Sequence, residues 1–340
     1  MLKRALLYSF LTVAFALVLL IGTELPAPEE ESHPAEGEQA LSDGERGGEL
    51  HSRTLGDGDM MLRVLREGNI EEMSMADYLP MALAGEMPAS FQPEALKAQA
   101  VALRSYALYH KENPKSAHPE ADICLASSCC AAAKSREEAL EQWGAEGERL
   151  WEKILKAVEE TDGQYLAAEQ ETVLAMFHSS SLGSTESGSA LSTERSYLLS
   201  VSSPETTEQV KNLVSTVEVS ADEFRDTVLR SFPGTEFSGE AEGWVGEVAP
   251  SAGGRVGSIT VGSQEISGLT MRQLFSLRST DFTLEWTGEN FLFTVRGYGH
   301  GLGMSQYGAN AMALEGCSYA GILSHYYPGA ELVVAVEVLE

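Results

Sequence analysis

The stretch Gly85–Tyr106, GEMPASFQPEALKAQAVALRSY, contains the end of one helix and the start of another. Pro88 closes an apolar helical run, MADYLPMALAGE, that opens at Met75, because the residue before a proline is steered away from helical backbone. Pro93 then opens a second helix, PEALKAQAVALRSYALYH, since proline suits the first helical turn. Leu96, Ala100, Leu103 and Ala107 recur at helical spacing behind it. Two acids flank the turn. Glu94, in the first turn of the second helix, offsets the helix dipole, worth about 0.3–1 kcal/mol. Glu86 ends the first helix among Leu83, Ala84 and Met87. Desolvation there raises a carboxyl pKa and lets the group carry a proton near neutrality, as a general acid must. Lys97 and Arg104 lie seven residues apart, hence on one helical face, which by pattern alone reads as a solvated stripe.

Working outward, LRVLREGNIEEMSM upstream reads as a hairpin with Gly68-Asn69 at its turn. Downstream, Glu137 to Glu160 is amphipathic and helical. From Thr161 the pattern changes to alternation, as in QYLAAEQETVLAMFHSSS. Val210 to Arg296 holds short strand-like runs broken by Gly, Ser and Pro, and the last part reads as helix, turn and strand. The class expected is α+β: a helical part followed by a strand-rich part at about 210–296, the two forming a groove.

The chain has 340 residues and a formal charge of −28, from 51 acidic and 23 basic residues. Lacking the basic clusters that neutralise phosphates, it is not expected to bind nucleic acid. Lys3 and Arg4 precede an uncharged run, Ala5 to Gly22, that is long enough to span a bilayer as a helix. The flanking charges place the N-terminus in the cytoplasm. A cleaved signal peptide shares the basic start, but its apolar core is usually shorter and no A-x-A cleavage pattern follows. The expected organisation is a transmembrane anchor at 1–23, an acidic disordered spacer at 24–56 and an exported domain at 57–335.

Three further motifs offer chemistry. HPEADICLASSCC gathers His118, Cys124, Cys129 and Cys130 in one loop. Thiolates and imidazole at such spacing can close a tetrahedral zinc site, while an extracellular chain can instead form a disulfide. FHSSSLGSTES, from Phe177 to Ser187, allows a serine–histidine pair but has no nucleophile elbow, and reads better as a polar loop that hydrogen-bonds a hydroxyl-rich ligand. In GYGHGLGMSQYGANA, Gly297 to Ala311, glycines let backbone approach a ligand closely, and His300, Ser305, Gln306 and Tyr307 add polar groups and a ring.

Taken together, GEMP, PEALKAQAVALRSYA, FHSSSLGSTES, YLLSVSSPE, LRSTDF, VRGYGHGLGMSQYGA and HYYPG resemble the stage II sporulation protein D family and its amidase-enhancer relatives. The motifs run from about Tyr78 to Gly329 in the family's order. The resemblance implies a lytic transglycosylase anchored in the engulfing septal membrane of a spore former. It would act on peptidoglycan glycan strands stripped by a partner amidase, and be linked to a membrane anchor protein. The family's essential acid falls on Glu86. Lys97, Arg104, Ser187 and Tyr197 match positions that line its substrate groove, and His300 and Gln306 join them from the glycine-rich loop. His118, Cys124 and Cys130 match the family's structural zinc loop, with Cys129 where a second histidine is expected. Leu199 stands where a lysine is expected. A single acid suffices for such an enzyme because the muramic acid 6-hydroxyl replaces water, giving a 1,6-anhydro product. The amidase-enhancer relatives raise the alternative of a non-catalytic wall-binding protein that stimulates an amidase. A zinc hydrolase is disfavoured, because four protein ligands would close the site.

Overall fold

The computed structural model describes residues 51–190 and 195–339. Helix α1 spans Met75–Glu86, with Ser74 accepting from the Asp77 N–H at its start, and ends where Met87 turns extended before Pro88. Helix α2 spans Pro93–Glu112, with Pro93 at its first position. Both ends at the turn fall where the prolines predict. The α2 surface is not half solvated, however. Alanines and leucines are buried around its circumference, together with Gln99, Arg104 and Ser105. A helix apolar on all sides belongs inside, and α2 packs against neighbours from several parts of the chain.

The expected helix at 137–160 is interrupted. Helix α3, Arg136–Trp143, and helix α4, Gly147–Glu159, are joined by a 3-10 turn that begins at Gly144 with φ +57°. The hairpin of Met61–Arg66 with Asn69–Ser74 pairs Arg66 with Asn69, so its turn is Glu67-Gly68 rather than Gly68-Asn69. Both turn residues have positive φ, as a two-residue hairpin of matching twist requires.

Among the described residues, two large hydrophobic cores result, with a small third cluster of Ala84, Ala139 and Trp151. The first gathers α1, α2 and α4, the strand Gln164–Ala168 and helices near the C-terminus, with Tyr78, Leu83, Leu103, Tyr326 and Tyr327 in its interior. Its strands join distant segments: Gln164–Ala168 pairs with Glu331–Val334, Phe177–His178 with Met304–Ser305, and His51–Thr54 with Val336–Leu339. The first and last of these strands lie outside the 57–335 expected from sequence.

The second core is built from residues 217–295, around Phe224 stacked on Phe275 and Phe291, with Phe293 tilted against Phe275. Its sheets are Val214–Ser220 with Asn290–Arg296 and Phe282–Trp286, and Val245–Pro250 with Val256–Val261 and Gln264–Ser267. The strand runs expected here are interrupted by two helices, α5 (Ala221–Ser231) and α6 (Gly268–Leu274). Each starts on a serine, Ser220 or Ser267, that accepts a backbone N–H. The chain then returns to the first core through helices α7, Gln306–Leu314, and α8, Tyr319–Tyr326.

Among the described residues no helix is long and apolar enough to cross a membrane. The anchor expected at 5–22 and most of the acidic spacer lie outside the described residues.

Candidate active site

Glu86 is the last residue of α1, so its carboxyl stands at the negative end of a helix dipole. Two cavities meet at it. One, of about 330 Å³, is lined by Ala84–Ser90, Lys134, Gln142, Trp143 and Leu150. The other, of about 380 Å³, is lined by Tyr106, Lys115, Ser127, Cys129, Cys130, Met176, Phe177 and His300. Glu86 is the one carboxylate among the residues lining either cavity. Burial raises its pKa; the Ala132 N–H, bonded to the carboxyl, and the nearby Gln306 side chain oppose that rise. Half-buried Trp143, Tyr106 and Phe177 offer ring faces on the two sides.

His300 and Met176 line the second cavity and also a third, of about 560 Å³, whose far wall carries Ser251, Val256, Ser267, Leu269 and Thr280 of the strand-rich part. The three spaces thus follow one another with shared walls. The His300 Nδ1 accepts from the Leu302 N–H at 3.0 Å. Burial, then the nearby Arg272 and Arg255 charges, push its pKa down to about 4, so it is neutral at pH 7.

The glycines around His300 let the loop pack closely against neighbouring chain. Gly297, Gly299, Gly301 and Gly303 all have positive φ. A Cβ on Gly301 would meet the Arg255 guanidinium at 2.5 Å, and one on Gly303 would overlap the Met176 carbonyl. The loop threads against the segment after Met176 and forms a wall of the cleft.

The other residues expected in the groove divide. Gln306, 5% exposed, lies near the Glu86 carboxyl and donates its Nε2 to Gln99 Oε1 at 3.5 Å. Arg104, fully buried, gives two 2.6 Å bonds to Asp57 and one to the Gln164 carbonyl, so it holds the core and cannot touch a ligand. Lys97 is engaged by Glu94 at 2.8 Å and Glu160 at 2.6 Å, and lies over the Tyr319 ring. Glu94 also accepts from the Tyr319 N–H, in keeping with a structural role at the helix start. Tyr197 is buried, its hydroxyl accepting from the Leu174 N–H. Ser187 is half-buried and bonded to Ser189. None of Arg104, Lys97, Tyr197 and Ser187 lines the two cavities at Glu86. Leu199 is 49% exposed.

The serine–histidine pair exists but is sealed. His178 Nδ1 donates to the Leu302 carbonyl at 3.2 Å, so its Nε2 accepts from the Ser181 hydroxyl at 2.7 Å. Ser181 also accepts from Arg255 and donates its N–H to Glu205, which takes a further bond from Ser305. Glu186 is held by Ser251 and the Gly253 N–H. Ser181 has no exposed surface, which rules out its attack on a polymer, while Glu186 of the same loop lines the third cavity.

His118, Cys124, Cys129 and Cys130 converge, their ligand atoms all within 4.8 Å of one another. A tetrahedral zinc with about 2.3 Å bonds to sulfur needs donors about 3.8 Å apart. The four cysteines are free. His118 Nδ1 donates to the Ala121 carbonyl at 3.1 Å, which leaves Nε2 facing Cys130, as an oriented metal-ligating histidine requires. The donor set fits a metal ion such as zinc, with Cys129 Sγ placed beside the other three donors. Sequence reasoning missed Tyr106, Lys115, Trp143 and Phe177. Trp143, just before the glycine that breaks the helix, was the one with a local signal.

A family model described as "Stage II sporulation protein" matches residues 66–167. The stage II sporulation protein D of Bacillus subtilis is 32% identical over 329 residues, covering 95% of this chain and 94% of that protein. This chain belongs to the stage II sporulation protein D family. The Bacillus amyloliquefaciens protein of the same name is 33% identical over 284 residues, 82% of this chain and 80% of the relative. The amidase enhancer of Bacillus subtilis is 28% identical over 303 residues, 74% of this chain but 39% of its own length.

Proposed function

We propose that this protein is a lytic transglycosylase that cleaves the MurNAc–GlcNAc bonds of peptidoglycan glycan strands during sporulation. The observation that carries the reading is the solitary, half-buried Glu86 carboxyl at the junction of two cavities. Hydrolytic glycosidases place a second carboxylate about 5–9.5 Å away to activate water or attack the sugar. With one acid, the chemistry that balances is intramolecular. Protonated Glu86 gives its proton to the leaving oxygen as the glycosidic bond breaks. Its carboxylate then takes the proton of the muramic acid 6-hydroxyl, whose oxygen bonds to the anomeric carbon, and the 1,6-anhydro ring closes.

Gln306 beside the carboxyl and the rings of Trp143, Tyr106 and Phe177 would hold the sugars on either side. Lys115 and Lys134 line the two cavities; they suit the lactyl carboxylate that loss of the stem peptide exposes. This agrees with a substrate stripped by a partner amidase, a link that the amidase-enhancer relative also supports. The segment Ala5 to Gly22 would hold the domain at the outer face of the engulfing membrane, alongside a membrane anchor protein of the same complex. A flexible spacer of about 30 residues would reach roughly 30 Å. Finding a shorter, soluble form lacking the first residues in the medium would replace this anchor with a cleaved signal. The quartet at His118 would bind one structural zinc per chain; elemental analysis of protein made without added metal should find it, and none bound would remove the metal.

The test of the function is mass spectrometry of products from peptide-free glycan strands. Anhydro-muramic ends are expected; reducing ends would mean hydrolysis. Intact strands, with stimulation of an added amidase, would favour the second reading, a wall-binding enhancer, for which the likeness to the amidase enhancer speaks.

A further inference from the structure

The cysteine loop and the end of α1 touch at two points. Ala132, two residues past Cys130, donates its N–H to Glu86 Oε1. One turn earlier on α1, the Lys134 N–H is bonded to the Met81 carbonyl at 3.0 Å. Between these bonds the loop lies flat on Gly85. A Cβ at that position would sit 2.5 Å from the Ala132 carbonyl oxygen and 2.8 Å from the Ala133 Cα. Glycine in a helix is unfavourable on its own account, so the close approach is what residue 85 serves.

The loop runs through the quartet and is braced there by backbone bonds. The Cys129 and Cys130 N–H groups both donate to the Ala126 carbonyl, and Cys130 Sγ accepts from the Cys124 N–H at 3.4 Å. Cys129 and Cys130 also line the cavity that Glu86 faces.

We propose that the metal loop is a positioning device for the acid: its four ligands fix the Ala132 amide, and that amide fixes the rotamer of the Glu86 carboxyl. One carboxyl oxygen is thereby pinned to backbone, and the group presents a defined edge to the glycosidic oxygen. A general acid gains from being held in place before the substrate arrives. The zinc takes no part in the bond changes. This inference rests on the role proposed for Glu86 and goes beyond it, because it assigns the loop a task in geometry as well as in folding.

The test uses the full-length zinc-loaded chain in detergent micelles, with two readouts. The first is the Ala132 amide in a proton–nitrogen correlation spectrum. Bonded to a carboxylate it should resonate far downfield, and it should move upfield both in Glu86→Gln and after chelation of the metal. An Ala132 signal indifferent to Glu86→Gln or to chelation would overturn the proposal, whether or not the protein cleaves glycan. The second readout is kinetic. Gly85→Ala pushes the loop off the helix without touching a metal ligand, so zinc should remain at one per chain and KM should hold. The kcat should fall about 10²-fold, the scale of a misplacement near 1 Å. Full zinc with unchanged kcat, or a rise in KM alone, would overturn the proposal. Should Gly85→Ala fail to fold, the amide readout decides.

Discussion

Two polar clusters lie on either side of the glycine-rich loop, and they differ in what they leave exposed. The cluster around His178 is chemically the richer, with a serine, a histidine, two glutamates and an arginine within hydrogen-bond reach of one another or of shared partners. Its serine and histidine are sealed, although Glu186 borders the third cavity, and most of its capacity is consumed internally; Arg255 Nε and Nη1 and Glu205 Oε2 are its unbonded atoms. The cluster at Glu86 is sparse, one carboxyl with an amide and a glutamine, yet it opens into space on both sides. The difference teaches that reactive residue types do not mark a working site by themselves. Access and a proton held at the right pH do.

The strongest way to break this comparison is Glu86→Gln. Loss of a general acid should cut glycan cleavage by about 10²–10⁴-fold while the chain stays folded and still sediments with glycan strands. Retained cleavage, read by mass spectrometry of the products, would leave the open cluster without a task.

Ser181→Ala should behave in the opposite way. It removes the partner of the His178 Nε2 and the nearer of two partners of the Arg255 Nη2. Buried polar groups left unpaired cost about 1–3 kcal/mol, measurable by urea denaturation, with kcat unchanged. A fall in kcat at unchanged stability would mean that the sealed cluster opens during turnover.

The smallest effect concerns pH. The folded-state pKa of Glu86 lies above its ordinary value of 4.5. Below pH 4.5 the carboxyl is protonated in both folded and unfolded states, and above the raised value it is ionised in both, with the folded state bearing the cost of a desolvated charge. Wild type should therefore lose stability relative to Glu86→Gln as pH rises from 4.5 through the raised value, and the thermal midpoints should converge in acid. Cleavage should decline over the same window as the catalytic proton is lost. Parallel melting curves at all pH values would mean that Glu86 is not desolvated.

Much of the Glu86 end could be read in the sequence because its signals are local. Pro88 and Pro93 set the helix ends, three apolar neighbours announce the desolvated acid, and the spacing of His118, Cys124, Cys129 and Cys130 needs one loop to close. The sealed cluster could not be read, because its bonds join residues 181, 205, 255 and 305. Arg104 misled for the same reason: its register looks solvated, but its partner Asp57 stands 47 residues away and draws it inward. Helices α5 and α6 were hidden because each is short and follows a strand whose β-branched pattern runs up to the capping serine.

The pairing of the strands also has a consequence for the order of folding. The second core is one continuous segment, closed by the pairing of Val214–Ser220 with Asn290–Arg296. The first core is discontinuous. His51–Thr54, Gln164–Ala168 and Phe177–His178 each wait for a partner beyond residue 303. Loop closure over such separations is slow, whereas the inserted segment closes on nearby contacts. As the chain emerges, the phenylalanine-lined insert can assemble while the older helical half still lacks three of its strands. The wall that the glycine-rich loop gives to the cleft is then laid down after both halves of the chain have been made. Until that moment the protein carries Glu86 without a finished cleft around it, and a truncated or nascent chain is unarmed.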